Sequence, residues 1–251
     1  QFIGGDLSGA LKDVKVRQAL MYAIDRNGTI TAAEGGFATP TVSGVVKSLW
    51  TGAGADSKFV DDLYGSLNPY SLNLDKAKSL IKAAGAAGKS LTIAVPSGLS
   101  SAKIDAQAVA SAADSIGLKS KVDIVPGEKY GSLFTDAGAR KGVDLFWTSW
   151  FVAAGTPLAE LTNWNTNDPS NYGGYSNPEY DQLVAQARST SDDKERLDLM
   201  AKATKIQNRD VPWIPLYDTN MLLFTNKRIT GVAPSIAFYY EPWAAMIGAA
   251  K

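Results

Sequence analysis

The stretch SLTIAVPS (90–97) places apolar Leu91, Ile93 and Val95 at every second position, the period of a β-strand. KSKVDIVP (119–126) repeats the pattern, and GVDLFWTSW (142–150) is a third apolar run, read as a strand over 143–150. An Ala-rich segment over 101–116 stops at Gly117, and a second helical segment runs from about Gly127 to Ala139. The order is β-α-β-α-β with helices between short strands. It predicts a largely parallel sheet with right-handed crossovers. In the third strand Leu145 and Trp147 share one face, Phe146 and Trp150 the other. Both faces are apolar, as for a strand covered on both sides. The expected class is therefore α/β: a mostly parallel central sheet with helices on both faces.

Outward from this centre, Asp13 is placed to cap a helix reaching about Arg26, with Val16, Ala19, Leu20, Ala23 and Ile24 as its apolar stripe. Residues 31–70, rich in Gly, Pro, Ser and Thr, read as a long irregular excursion. Asn73 or Asp75 opens a helix that Gly85 ends. Further on, Ser176 or Asn177 caps a helix whose first residue is Pro178, and Asp192 with Glu195 starts a long amphipathic one. VPWIPLYD and MLLFTN read as late strands. The two prolines of the first suggest a sheet edge or a crossover.

Composition narrows the chemistry. In 251 residues there is no Cys and no His, and 25 basic side chains balance 25 acidic ones. No thiol nucleophile, disulfide or imidazole base is available, and no charge excess points to nucleic acid. No apolar run is long enough to span a membrane. No cofactor or metal site is expected. Near-matches to catalytic motifs carry structural readings. AAGAAGKS (83–90) lacks the first glycine of a phosphate loop and leads into a strand, not a helix. Ser100 and Lys103 in SSAK, with YSN (175–177), resemble two motifs of penicillin-recognising serine hydrolases. The third motif, Lys-Thr-Gly, is missing. That hydrolase is kept as the alternative function.

Six stretches in order carry a resemblance: LKDVKVRQALMYAIDR (11–26), NLDKAKSLIKAAG (73–85), SAADSIGLKSKV (111–122), GVDLFWTSW (142–150), NYGGYSNPEYDQL (171–183) and DVPWIPLY (210–217). Together they resemble the family 5 extracellular solute-binding proteins of ABC importers, the peptide- and nickel-binding type. The resemblance implies a periplasmic-binding-protein-like fold of type II and no catalysis. It implies a small solute, peptide-like or other, captured between two lobes and delivered to a membrane permease. The implied location is extracytoplasmic, in the periplasm or on a cell-surface lipoprotein. Family members are about twice this length, so residues 1–251 are expected to be one ligand-binding lobe. Residues 1–10 and about 218–251 would then lead towards an N-terminal lobe of the same parent chain.

Ligands of open α/β sheets sit beyond the carboxyl ends of the strands. That rule assigns Trp147 to packing, and Trp150 with Phe151 to the cleft wall. The resemblance adds that family members line their cleft with the Trp of this strand end and the loop after it. It also matches Tyr130 to a cleft aromatic, although Tyr130 reads equally as a half-buried helix residue. Asn171 and Tyr172 either offer polar contacts at the cleft edge or form a turn. Peptide-binding members place an Asp three residues after the Trp to hold the ligand's α-amino group. Here that position is Ala153. The resemblance thus implies a ligand whose amine, if any, is held elsewhere, because a buried ammonium without a counter-charge costs several kcal/mol.

Overall fold

The computed structural model describes residues 1–5, 7–150, 155–220, 222–233 and 241–250. The chain divides into two compact units, Gln1–Asp218 and Thr219–Lys251.

The larger unit opens with strand β1 (Phe2–Gly5) and a 3-10 turn (Gly9–Lys12). Helix α1 (Val14–Ala23) begins where the Asp13 carboxylate accepts from the Lys15 N–H at 2.8 Å. It ends earlier than its apolar stripe suggests. Asp25 caps a new helix, α2 (Arg26–Glu34), by accepting from the Gly28 N–H at 3.0 Å. Strand β2 (Ala38–Pro40) and helices α3 (Lys47–Gly52) and α4 (Ser57–Ser66) fill the region expected to be irregular. The overlooked signals were Asp56, which accepts from the Phe59 N–H at 2.7 Å, and the buried set Leu49, Trp50, Val60 and Leu63.

Helix α5 (Leu74–Ala83), capped by Asn73, leads to β3 (Ser90–Pro96), α6 (Ser100–Ser115), β4 (Lys119–Val125), α7 (Gly127–Thr135) and β5 (Leu145–Thr148). The expected alternation is present with two boundaries trimmed. Asp136 turns extended and its carboxylate accepts from the Gly138 N–H at 2.7 Å, so α7 stops before Ala139. Strand β5 keeps four residues of the eight expected. Helices α8 (Pro157–Leu161), α9 (Pro178–Ser189) and α10 (Asp193–Asp210) follow, then strands β6 (Ile214–Pro215) and β7 (Tyr217–Thr219). Asn177 caps α9 and Asp192 caps α10. In the smaller unit β8 (Ile229–Thr230) pairs antiparallel with β9 (Gly248–Ala249), and α11 (Trp243–Met246) lies between them in sequence. Among the described residues of MLLFTN, 222–226, no strand forms, and Phe224 is exposed.

The main sheet has the order β4-β3-β5-β1-β6. Strand β3 pairs in parallel with β4 and with β5, Ile93 lying opposite Val122 and Leu145. Strand β1 is inserted antiparallel between β5 and β6, with Phe2 opposite Thr148 and Pro215. The sheet is therefore mostly parallel with one reversed strand, and β6 with its proline lies at the edge. Leu91, Ile93, Val95, Leu145 and Trp147 face a core shared with α1, α5 and α6. Ala94 and Phe146 face the opposite way, onto Tyr130 and Leu133 of α7. A further core joins Phe2 and Trp213 to residues of α3, α4, α9 and α10.

One buried carboxylate ties the first core to the strand ends. Asp105 of α6 is fully buried and accepts from Trp147 Nε1–H at 2.8 Å. The Tyr217 hydroxyl lies 2.9 Å from each of its oxygens. Burial pushes the Asp105 carboxyl up to about 6, with these hydrogen bonds opposing. Trp147 is thus a packing residue whose indole also anchors a helix.

Insertion of β1 depends on a missing side chain. A Cβ on Gly5 would lie 1.9 Å from the Asp144 carbonyl oxygen, which is backbone and cannot swing away. Gly5→Ala is expected to lower the denaturant midpoint well beyond the usual single-mutant loss of about 1 kcal/mol. Gly131→Ala, in open space on α7, is expected to raise stability by up to about 1 kcal/mol. Chemical denaturation of the two variants checks both directions.

Candidate functional site

The carboxyl ends of β3, β4 and β5 all point to one edge of the sheet. Chain segments 97–100, 126–128 and 149–150 leave from that edge. Being antiparallel, β1 starts there. Ser97, Gly98, Leu99 and Ser149 are exposed along it. In an open α/β sheet this is the edge where ligands bind.

Behind the edge lies an aromatic cluster centred on Trp213, the residue just before β6. Trp213 is buried. Phe2 meets it edge-on at 5.8 Å, Trp164 at 5.5 Å and Trp150 at 6.1 Å, while Tyr172 stacks on it at 5.7 Å with only 7° between the planes. Gly4 makes room for this ring, since a Cβ there would come to 3.1 Å from the indole. The indole N–H groups of Trp150, Trp164 and Trp213 are buried without an acceptor among the described residues. Buried donors are normally paired, so the cluster holds polar capacity that its own side chains leave unused.

Trp150 is half-buried, packing one edge on Trp213 at the end of β5. Tyr130 is buried beneath the strand ends. Its hydroxyl donates to the Trp147 carbonyl and lies 3.4 Å from the Ala94 carbonyl, joining α7 to β5 and β3. Burial raises its pKa far above the usual phenol value. Tyr172 is half-buried between Trp213 and Phe134, with the Arg140 guanidinium 5.7 Å from its ring centre. Asn171 braces its own loop: its amide donates to the Asn165 and Tyr175 carbonyls at 2.9 and 2.7 Å and accepts from the Tyr175 N–H at 2.9 Å. Phe151 and Ala153 lie outside the described residues. The structure thus gathers Trp150, Tyr172 and Tyr130 around β5 and Trp213, with Asn171 next to Tyr172 in the chain.

Three members of the neighbourhood went unread in the sequence. DVPWIPLY marked a strand but not Trp213 as the hub. Glu160 of α8 is 4 % exposed, and the Asn163 amide is its hydrogen-bond partner at 3.4 Å. Burial pushes the Glu160 carboxyl up to about 8, with the charge of Asp218 adding to the rise. Asp218 itself is pushed up to about 6 by burial. Neither acid lies in a motif, so only the folded chain brings them together. Among the described residues no cluster of acidic side chains could hold a metal ion. Ser100 is exposed on the first turn of α6, and no hydrogen bond joins it to Lys103 among the described contacts. The nucleophile arrangement of the hydrolase alternative is not assembled.

Residues 6–172 match the sequence pattern of bacterial extracellular solute-binding proteins, family 5 Middle. Over 239 residues the chain is 30% identical to the glutathione-binding protein GsiB of Shigella dysenteriae serotype 1 (strain Sd197), covering 90% of this chain and 44% of that protein. The same figures hold for GsiB of Escherichia coli (strain K12). The chain therefore spans less than half the length of these curated relatives. Among solved structures, a putative peptide binding protein AppA from Clostridium difficile superposes with a TM-score of 0.77 at 20% identity, over 99% of this chain and 50% of that one. A peptide-binding protein of a peptide ABC transporter superposes at 0.75 and 20% identity, over 87% of this chain and 97% of that one. The fold is the type II periplasmic-binding-protein-like architecture, and the relatives named here are binding proteins.

The Glu160 carboxyl gives a directional test. Its folded value, about 8, lies above the ordinary 4.5. Its stabilising contribution is therefore complete below about 4.5 and is lost as pH rises through 8. Glu160→Gln is expected to remove that decline: the variant gains on the parent chain as pH rises from 5 to 9, read as denaturant midpoint against pH. Parallel curves for the two proteins would refute the assignment.

Proposed function

The chain belongs to the bacterial extracellular solute-binding proteins of family 5, and from that premise we propose that it forms one ligand-binding lobe of a two-lobed importer component. The reading is of reversible capture without catalysis, in an extracytoplasmic compartment, followed by delivery to an ABC permease. Residues 1–10 and the segment after about Asp218 lead towards the second lobe. The observation that carries the reading is the strand-end edge. Its described segments 97–100 and 149 are exposed, and Trp150 stands half-buried with its ring against Trp213. A second wall closing over that edge would bury a small solute against the ring, as aromatic-lined ligand sites do. Lobe closure then follows from the ligand's preference for the closed state.

The solute class is a peptide or a peptide-like molecule, in keeping with the glutathione-binding and peptide-binding relatives. The residues proposed to face the solute are Trp150, Phe151, Ala153, Tyr172, Asn171 and Tyr130. No acidic residue lies between Asp144 and Glu160, so the loop after Trp150 supplies no counter-charge for a free amino terminus.

Calorimetric titration of the two-lobed protein with tripeptides, glutathione and their N-acetylated forms tests this reading. N-acetylation is expected to change affinity by less than about tenfold. Trp150→Ala is expected to weaken every ligand by at least about tenfold. Because the ring also packs on Trp213, the variant's melting temperature falls too, and affinities are compared at a temperature where both proteins are folded. Binding that vanishes on acetylation would defeat amine-independent capture and require a counter-charge outside the loop after Trp150, and full affinity in Trp150→Ala would defeat the placement of the cleft.

A further inference from the structure

Two arginines of the larger unit are buried to the same degree, each 7% exposed, yet their surroundings differ. Arg17 of α1 has all three nitrogens on carbonyl oxygens. Nε reaches the Asp210 and Val211 carbonyls at 3.0 Å, Nη1 those of Leu11 and Lys12 at 2.6 and 3.1 Å, and Nη2 that of Asp210 at 2.7 Å. The Asp210 carboxylate also supports its charge. Arg26, at the start of α2, is held loosely. Nε lies 3.3 Å from the Pro215 carbonyl, and Nη1 lies 3.2 and 3.3 Å from those of Met21 and Tyr70. Its Nη2 has a thioether partner, Met21 Sδ at 3.1 Å, and no oxygen among the described residues. A thioether is a weak acceptor. No carboxylate is among the groups that support the Arg26 charge, and burial lowers its pKa to about 10.

Arg26 also lines an open cavity of about 370 Å³, together with Asn27, Thr39, Thr41, Lys47 and Ser71. This volume suits a small solute. Two acids share the lining, Asp25 and Asp218. Asp25 is engaged in capping α2 through the Gly28 N–H at 3.0 Å. Lys47 already faces Asp61, its Nζ 3.9 Å from Oδ1 in an exposed pair, and lies 5.1 Å from the Tyr64 ring centre, so a guest carboxylate would compete with Asp61 for it. With Arg26 and Lys47 the four lining charges balance, which disfavours a multiply charged guest. The group left short of an oxygen acceptor is the guanidinium.

We propose that this cavity binds a small singly charged carboxylate, drawn by the Arg26 guanidinium and the Lys47 ammonium of its lining. A planar carboxylate matches the fork of a guanidinium, and charge-assisted pairs of this kind are stronger than the carbonyl contacts Arg26 now has. Trp150 is not among the residues that line this cavity, and the proposal is independent of the proposed transport role.

Sodium acetate is the probe. Thermal unfolding of the 251-residue chain is followed as acetate replaces chloride at constant ionic strength. A saturable rise in melting temperature with acetate is expected. Lys47 is largely exposed, 60% by its side chain, so Lys47→Gln leaves the fold intact. It is expected to weaken the apparent acetate affinity about threefold, and Arg26→Lys at least about tenfold. Should Arg26→Lys fail to fold, the Lys47→Gln response still decides. Equal effects of acetate and chloride on the parent chain, or an acetate response unchanged in Lys47→Gln, would overturn the proposal.

Discussion

The packing of Trp213 against the bare backbone of Gly4 is the constraint on which the strand-end face depends. Strand β1 enters the sheet antiparallel, between two strands that run the other way. It brings two glycines, one admitting the indole and the other admitting the carbonyl of Asp144. Once Trp213 is seated there, Phe2, Trp150, Trp164 and Tyr172 find their places around it. Edge-to-face and stacked rings contribute beyond the area they bury. The result is a packed aromatic floor on which the Trp150 ring rests.

Burial of charge follows two patterns in this molecule. Where a buried ion serves packing, neutral donors or carbonyls surround it at short range. Asp105 between Trp147 and Tyr217 is one case, and Arg17 among the carbonyls of α10's end is another. Burial disfavours the charged form in every case: it raises the pKa of Asp105 to about 6 and lowers that of Arg17, and Glu160, with a single long amide contact, rises further, to about 8. The cost of removing a charge from water rises steeply when partners are few. Such groups are the ones whose protonation or occupancy changes with conditions. The interior faces of the sheet are lined by apolar side chains.

How much was legible depended on whether a signal was local. The parallel β-α-β-α-β centre was readable because its strands alternate with period two and its helices carry apolar stripes. Trp147 as a core residue followed from the same alternation. The caps at Asp13, Asn73, Asn177 and Asp192 were readable because a short acceptor must precede orphan N–H groups. Residues 31–70 were misread as irregular because their helices are short and rich in Gly and Ser, so propensity argued against them while tertiary burial of Trp50 and Val60 held them.

By itself, then, the sequence determined the α/β class, the order of the central units, the chemistry excluded by the lack of Cys and His, and the family. Only the tertiary structure decided that β1 runs antiparallel inside the sheet, that Trp213 gathers the aromatic residues, and that Arg26, Asp105 and Glu160 are buried with unequal partners. Periodicity and capping are properties of neighbouring residues and are written along the chain. Packing partners and the field around a buried charge come from residues far apart in sequence, and they exist only when the chain has closed on itself.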